Sequence, residues 1–298
     1  MTRHFLNVTD LDRDEIHAVL DLAQQAEIRP VLAGQGVALI FEKPSNRTRQ
    51  SMEMAVAQLG GHPVYTRGEE IDLDVRESVE DVTRVMAGYH AVLAARVFDH
   101  RRVQRMAAAS DVPVVNMLSD VSHPLQAMAD VLTMQQVHGS LNGLRVAYVG
   151  DYNNVSRSLA EACVLLGAHV CLGCPPGYQA PDDELERLSL LGSGTVRQVP
   201  RPIEAVSGAV AVHTDTWTSM GQESEKAARQ QAFEGFTVDA AMMAAAAPSA
   251  GFYHCLPAYR GDEVSAEVID GPASHVFAQA HNRMHAARGV LAFLMGVR

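Results

Sequence analysis

Five residues, Ser45-Asn46-Arg47-Thr48-Arg49, stand between an apolar run at 37–41 and a helically spaced set, Met52, Ala55, Val56 and Leu59. The order is strand, polar turn, helix. Ser45 or Asn46 can cap that helix, and its first-turn amides then point outward as an anion-binding surface. Arg47 and Arg49 oppose the helix macrodipole at this position, so their presence asks for a cause, and a bound anion supplies one. A single arginine near a helix start is usually just solvated. Two arginines on one turn, with Ser45 and Thr48, make an anion site as good a reading as solvation.

In an open parallel sheet, ligands gather beyond the carboxyl ends of the strands. Arg96 follows the apolar stretch 91–95, and NMLSDVSHPLQ follows 112–116, with His123 and Gln126 about to enter a helix. GDYNN follows Val149, DTWTSMGQE follows the strand ending near His213, and HCLP follows Phe252. Each member also has an ordinary explanation. GDYNN lacks the GxGxxG spacing of a dinucleotide site, and Asn153 and Asn154 can serve as plain turn residues. HNRMH sets His281 and His285 on one helix face but lacks the Glu that a zinc protease requires. Cys171 and Cys174 form a CxxC at the end of the apolar strand AHVCLGC, with no second ligand pair and no reactive helix start, so neither redox chemistry nor a metal is expected there. The informative feature is the whole constellation of strand ends.

The elements that must position these groups alternate along the chain. Strands are expected at 37–41, 63–66, 91–97 and 112–116, and helices at about 9–26, 48–59, 76–88, 99–109 and 124–137. HGSLNG breaks the last of these helices and is the natural domain joint. A second series follows: LRVAYVG, a helix at 156–166, HVCLG, a helix at 182–191, AVAVHTD, a helix at 223–233, GFYHCLP and a closing helix at about 278–295. The pattern predicts an α/β protein of two doubly wound, mainly parallel-sheet domains, at 1–138 and 139–277, with 278–298 returning to the first.

The chain has 298 residues, 47% hydrophobic and 20% charged, which suits two globular domains of ordinary size. Its formal charge of −11 argues against nucleic acid as a partner, so any anionic ligand must be held locally. No stretch is apolar enough to span a bilayer, the N-terminus does not resemble a signal peptide, and four cysteines suit a reducing compartment, so the reading is cytoplasmic.

SNRTR, HPLQ, DTWTSMG, HCLP and the closing NRMH stand in the order and approximate spacing of the aspartate/ornithine carbamoyltransferase family, and the resemblance covers nearly the whole chain. SNRTR resembles the family's phosphate cradle, and HPLQ its HPxQ. Asp215 through Gly221, followed by HCLP, resembles the ornithine branch. The resemblance implies that Ser45, Asn46, Arg47 and Thr48 hold the phosphate of carbamoyl phosphate. It implies further contacts from Arg96, His123, Gln126 and Arg283, with the backbone around Cys255 and Leu256 against the carbamoyl group. Asn154 would take the carboxylate of L-ornithine, Asp215 and Ser219 its α-amino group, and the Met220 backbone would lie alongside. Arg47, Arg96, His123, Asp215 and Cys255 are the implied catalytic set, forming citrulline with no cofactor and no metal. A homotrimer or a multiple of trimers is implied as well.

Departures from the family pattern are Asn46 in place of Thr, Leu125 in place of Cys, and an acidic stretch, Glu69, Glu70, Asp72 and Asp74, in a region from which family trimers send a loop into the neighbouring site. Two other readings remain open: a carbamoyltransferase for another amine such as putrescine, and a metabolite-binding descendant without turnover.

Overall fold

The structure is a computed structural model that describes residues 2–218 and 223–297. Its first series of elements runs α1 (Arg13–Gln24), β1 (Gly36–Phe41), α2 (Asn46–Gln58), β2 (His62–Arg67), α3 (Gly68–Ile71), α4 (Val79–Ala87), β3 (His90–Arg96), α5 (His100–Ala109), β4 (Val114–Leu118) and α6 (Pro124–His138). The second runs β5 (Arg145–Val149), α7 (Asn154–Leu165), β6 (His169–Gly173), α8 (Asp182–Ser189), β7 (Thr195–Val199), α9 (Pro202–Val206), β8 (Ala211–Thr214), α10 (Lys226–Ala232), α11 (Ala240–Ala245), β9 (Gly251–His254), α12 (Ala266–Ile269) and α13 (Val276–Leu294). Among the described residues no helix is long and apolar enough to cross a membrane.

Two all-parallel sheets result, ordered β2-β1-β3-β4 and β7-β6-β5-β8-β9. Parallel strands covered on both faces should read as continuous apolar runs. β1 is buried from Val37 to Phe41, β8 throughout, and β5 beyond its first residue. The first sheet packs Ala38, Ile40, Leu93 and Ala95 against Val103 and Met106 of α5, and the second packs Val149, Val212 and Phe252 with Phe233 and Val276.

The chain divides into two compact units, 1–129 with 281–298 and 130–280. The division falls within α6 rather than at HGSLNG, where the helix ends and Gly139 and Gly143 take left-handed backbone, φ +81° and +79°. In the first unit, α13 packs against α1 at Gly289. A Cβ there would come within 2.5 Å of the Val19 carbonyl oxygen, so only glycine permits this approach.

Helix starts follow local capping. α1 begins later than the 9–26 expectation because Asp12 accepts from the Glu15 amide at 2.9 Å and forms a capping box with Glu15. Asp10 instead turns back to the amides of Leu6 and Asn7, leaving Val8–Asp10 as a separate 3₁₀ turn. β7 was not expected. It is an edge strand, TVRQV, alternately exposed and half-buried, and therefore lacks the apolar run of its neighbours.

His213 on β8 is stacked on Tyr253, with ring centroids 4.6 Å apart. Burial first, and then the neighbouring His254, push its pKa down to about 3. The unfolded chain takes up a proton below about 6.5 that the folded state refuses, so this contribution to stability is full above that pH. It declines as the pH falls toward 3, by about 1.4 kcal/mol per unit. Chemical denaturation of the wild type and His213→Gln should therefore show the variant's relative stability improving by about 2 kcal/mol between pH 7 and pH 5. Parallel pH profiles would contradict this.

Candidate active site

Each sheet has one place where the order of strand addition reverses. In the first sheet it lies between β1 and β3; in the second, between β5 and β8. Crossovers leave such neighbouring strands toward opposite faces, so their loops diverge and open a crevice at the carboxyl edge. The segments singled out in the sequence occupy these two edges.

In the first unit, Ser45 is the N-cap of α2. Its Oγ accepts from the Thr48 amide at 3.4 Å, and the helix carries no acidic residue in its first turn. Thr48 is buried and its hydroxyl is a point of convergence. Arg96, at the end of β3, donates to it at 3.4 Å, and Arg283, from α13, donates at 3.1 Å. Arg283 also donates to Gln126 Oε1 and lies 3.4 Å from His123 Nε2. His123 sits just before α6, where its carbonyl accepts from the Gln126 and Ala127 amides. Residues 48, 96, 123, 126 and 283 thus meet around one helix N-terminus.

The electrostatic character of this cluster is recorded in His123. Burial, followed by the Arg283 and Arg96 charges, holds its pKa well below the ordinary 6.5. The imidazole is neutral at physiological pH, while both guanidiniums stay charged. Arg47 is half-buried and has no side-chain partner among the described residues. Arg49 departs from its expected role, because it donates to Glu53 at 2.7 Å and stacks over Tyr65 at 3.9 Å. It is committed to the body of the unit rather than to an anion. Asn46 is exposed at the first helical position.

In the second unit, Asp215 follows β8 and is 6% exposed. Its Oδ2 accepts from Asn153 Nδ2 at 3.0 Å, and its Oδ1 from the Thr216 amide at 2.8 Å and the Cys255 thiol at 3.1 Å. Asn153 is itself fixed, since its Oδ1 caps α7 by accepting from the Val155 and Ser156 amides. Asn154 is the first residue of that helix. Sequence reasoning assigned Asn154 to an amino acid carboxylate; the neighbouring Asn153, which it left as a turn residue, donates to Asp215. Ser219 and Met220 lie outside the described residues.

Sequence reasoning also passed over His254 and Glu263. His254 Nδ1 accepts from the Leu256 amide at 2.8 Å, which places the ring proton on Nε2, 3.2 Å from Glu263 Oε1. That bond helps hold Leu256 in left-handed backbone, φ +59°, an uncommon conformation for a residue with a Cβ. The nine-residue gap between the partners gave no motif to read. Asp215, His254 and Cys255 bring donor atoms within 4.8 Å of one another, a spacing that could hold a metal ion. Both His254 nitrogens are already committed to hydrogen bonds, so a metal would have to displace one of them. The trio is better described as a hydrogen-bonded support for the loop after β9.

Family models match both parts of the chain: the carbamoyl-P binding domain of aspartate/ornithine carbamoyltransferase over 3–136, and the Asp/Orn binding domain over 142–294. The ornithine carbamoyltransferase of Acidothermus cellulolyticus is 46% identical over 99% of this chain and 97% of its own length. Among solved structures, ornithine carbamoyltransferase from Pyrococcus furiosus superposes with a TM-score of 0.95 at 40% identity, covering 100% of this chain and 98% of that one. The Thermus thermophilus ornithine carbamoyltransferase gives 0.91 at 40% identity, covering 99% of each. Two domain matches in tandem, near-complete coverage and the same all-parallel topology lead to one conclusion: this chain belongs to the aspartate/ornithine carbamoyltransferase family.

Proposed function

We propose that this protein transfers the carbamoyl group of carbamoyl phosphate to the δ-amine of L-ornithine, giving L-citrulline and phosphate. The observation that carries the carbamoyl phosphate half is the convergence of Arg96 and Arg283 on Thr48 at the N-terminus of α2, beside a neutral His123. Two buried guanidiniums, outward helix amides and Arg47, which has no side-chain partner among the described residues, favour a dianionic phosphate. Ser45, Asn46, Arg47 and Thr48 are the proposed cradle. Gln126, oriented by Arg283, and the backbone at Cys255 and Leu256 are proposed for the carbamoyl end.

The chemistry requires little else. The δ-ammonium first gives a proton to solvent; the neutral amine nitrogen then attacks the carbamoyl carbon, the carbonyl oxygen gathers negative charge, the carbon–oxygen bond to phosphate breaks, and the nitrogen's extra proton leaves with the phosphate as HPO4²⁻. Arg96, Thr48 and His123 are assigned to the developing oxyanion, with Arg47 and Arg283 on the leaving phosphate. Preorganised donors of this kind usually supply the largest share of the rate.

Ornithine, rather than aspartate, is supported by the carboxylate of Asp215 at the reversal point of the second sheet. Its acceptor bonds to Asn153, Thr216 and Cys255 hold it for an ammonium group. Asn154 is proposed for the ornithine carboxylate, Asp215 with Ser219 for its α-amino group, and the Met220 backbone beside them. Cys255, which donates to Asp215, joins the catalytic set. The relatives named ornithine carbamoyltransferase support the same choice.

Three measurements test this reading. In one assay offering ornithine, putrescine and aspartate, ornithine should exceed putrescine in kcat/KM by at least about tenfold and aspartate by far more. Losing the acceptor's carboxylate leaves buried donors unpaired at about 1–3 kcal/mol each. Equal or better use of putrescine would overturn ornithine as the substrate. Arg47→Ala should remove detectable turnover and weaken carbamoyl phosphate binding by about tenfold or more in calorimetry, as expected for a charged hydrogen bond of about 1.5–3 kcal/mol; unchanged affinity would remove Arg47 from the cradle. The proposed assembly is a homotrimer, as the family resemblance implies, and light scattering that finds a fully active monomer would refute it.

A further inference from the structure

Arg229 on α10 is 5% exposed and spans three segments of the second unit. Its Nη1 donates to Asp151 Oδ2 at 2.7 Å and to the Trp217 carbonyl at 3.0 Å, and its Nε donates to Glu225 Oε2 at 2.9 Å. The guanidinium carbon lies 4.9 Å from the centroid of the Tyr178 ring, and the Tyr178 carbonyl in turn accepts from the Tyr152 amide. One nitrogen therefore joins the turn after β5 to the segment after β8. These are the same two segments that meet at the Asn153–Asp215 bond, and Asp151 is tied to Asn153 through its carbonyl at 2.9 Å.

We propose that Arg229 is a positioning residue for the amino acid acceptor: by holding Asp151 and the Trp217 carbonyl on one guanidinium, it sets the distance between Asn154 and Asp215. This assignment rests on the carbamoyl-transfer reading and adds to it a residue that touches neither substrate. Two features distinguish it from a general stabilising contact. A buried ion pair is a weak source of net stability, because desolvation of both ions offsets their attraction. What a planar cation provides is geometry: with Nε held by Glu225, the Nη1 group is fixed in direction and sets Asp151 and the Trp217 carbonyl at fixed angles to each other. The second feature is that Asp151 and Asp215 are near enough to repel, since the Asp215 charge contributes to a raised Asp151 pKa after burial. Without Arg229, the Asp151 carboxylate loses its cation and the turn carrying Asn153 and Asn154 loses its anchor to Trp217.

The test compares the wild type with Arg229→Gln and Arg229→Lys in the full chain, reading citrulline formation against each substrate and carbamoyl phosphate affinity by calorimetry. Gln should raise KM for ornithine by about tenfold or more while carbamoyl phosphate affinity stays within about twofold, and Lys, which keeps the charge but not the fork, should recover only part of the loss. Trp217 is the single tryptophan of the chain, so its emission reports directly on this segment. It should shift in the Gln variant before any substrate is added. An ornithine KM within about twofold of wild type would overturn the proposal, as would a parallel loss of affinity for both substrates, the signature of general loosening. If the Gln variant does not fold, the same criteria apply to the Lys variant. A wild type that forms no citrulline overturns the carbamoyl-transfer reading and this assignment with it; an active wild type with unaffected variants overturns this assignment alone.

Discussion

The reversal of strand order in each sheet is the constraint from which the functional arrangement follows. A doubly wound sheet must send its helices to both faces, and only where the winding changes direction do two adjacent loops part company. Elsewhere along the carboxyl edge, successive loops cross the same face and cover one another. Hence the first unit has its exposed helix start and Arg96 at the β1/β3 border, and the second has Asn153 and Asp215 at the β5/β8 border. Neither pair is close in sequence. The winding direction brings each together.

The two edges then differ in sign. At the first, guanidiniums converge on a neutral hydroxyl, and the neighbouring imidazole is kept uncharged by burial and by those cations. A protonated His123 would add a third buried positive charge to the cluster, so its depressed pKa removes a competitor for the anion while leaving a neutral ring beside it. At the second edge the central group is a carboxylate supplied with donors from an asparagine, an amide and a thiol. Three donors hold it in one orientation and leave it an acceptor. One edge is cationic and the other carries a carboxylate, a polarity that agrees with the proposed reaction between carbamoyl phosphate and a cationic amino acid.

Much of this was legible because it is local. The apolar runs of β1, β5 and β8 identify buried parallel strands, and Ser45 before a helical pattern identifies the cap. Arg49 shows where locality misleads: its i,i+4 partner Glu53 was visible in the sequence, but the Tyr65 ring that completes its environment comes from the adjacent strand β2. Edge strand β7 was missed because half-burial removes the apolar signal. The tie from Asn153 to Asp215 was not legible, since it depends on the capping geometry that fixes the Asn153 side chain and not on residue type. His254, Glu263 and Arg229 are buried polar residues whose meaning lies in their partners, and a sequence does not display partners.

The first-unit cluster also joins parts of the chain that are far apart in sequence. Thr48, Arg96, Gln126 and Arg283 belong to four separate elements, and the Thr48–Arg283 bond closes 235 residues of chain. Contacts so distant in sequence are slow to form, because the entropy of closing the intervening chain is lost before they contribute. The cationic cluster is therefore complete only when α13 has docked, an event that depends on the close approach of Gly289 to Val19. A ligand that binds the finished cluster and not its parts stabilises the docked helix by mass action. In this architecture, completing the cationic cluster and docking the last helix draw on the same residue, Arg283. The last helix thus contributes to the cationic cluster of the first unit as well as to its packing.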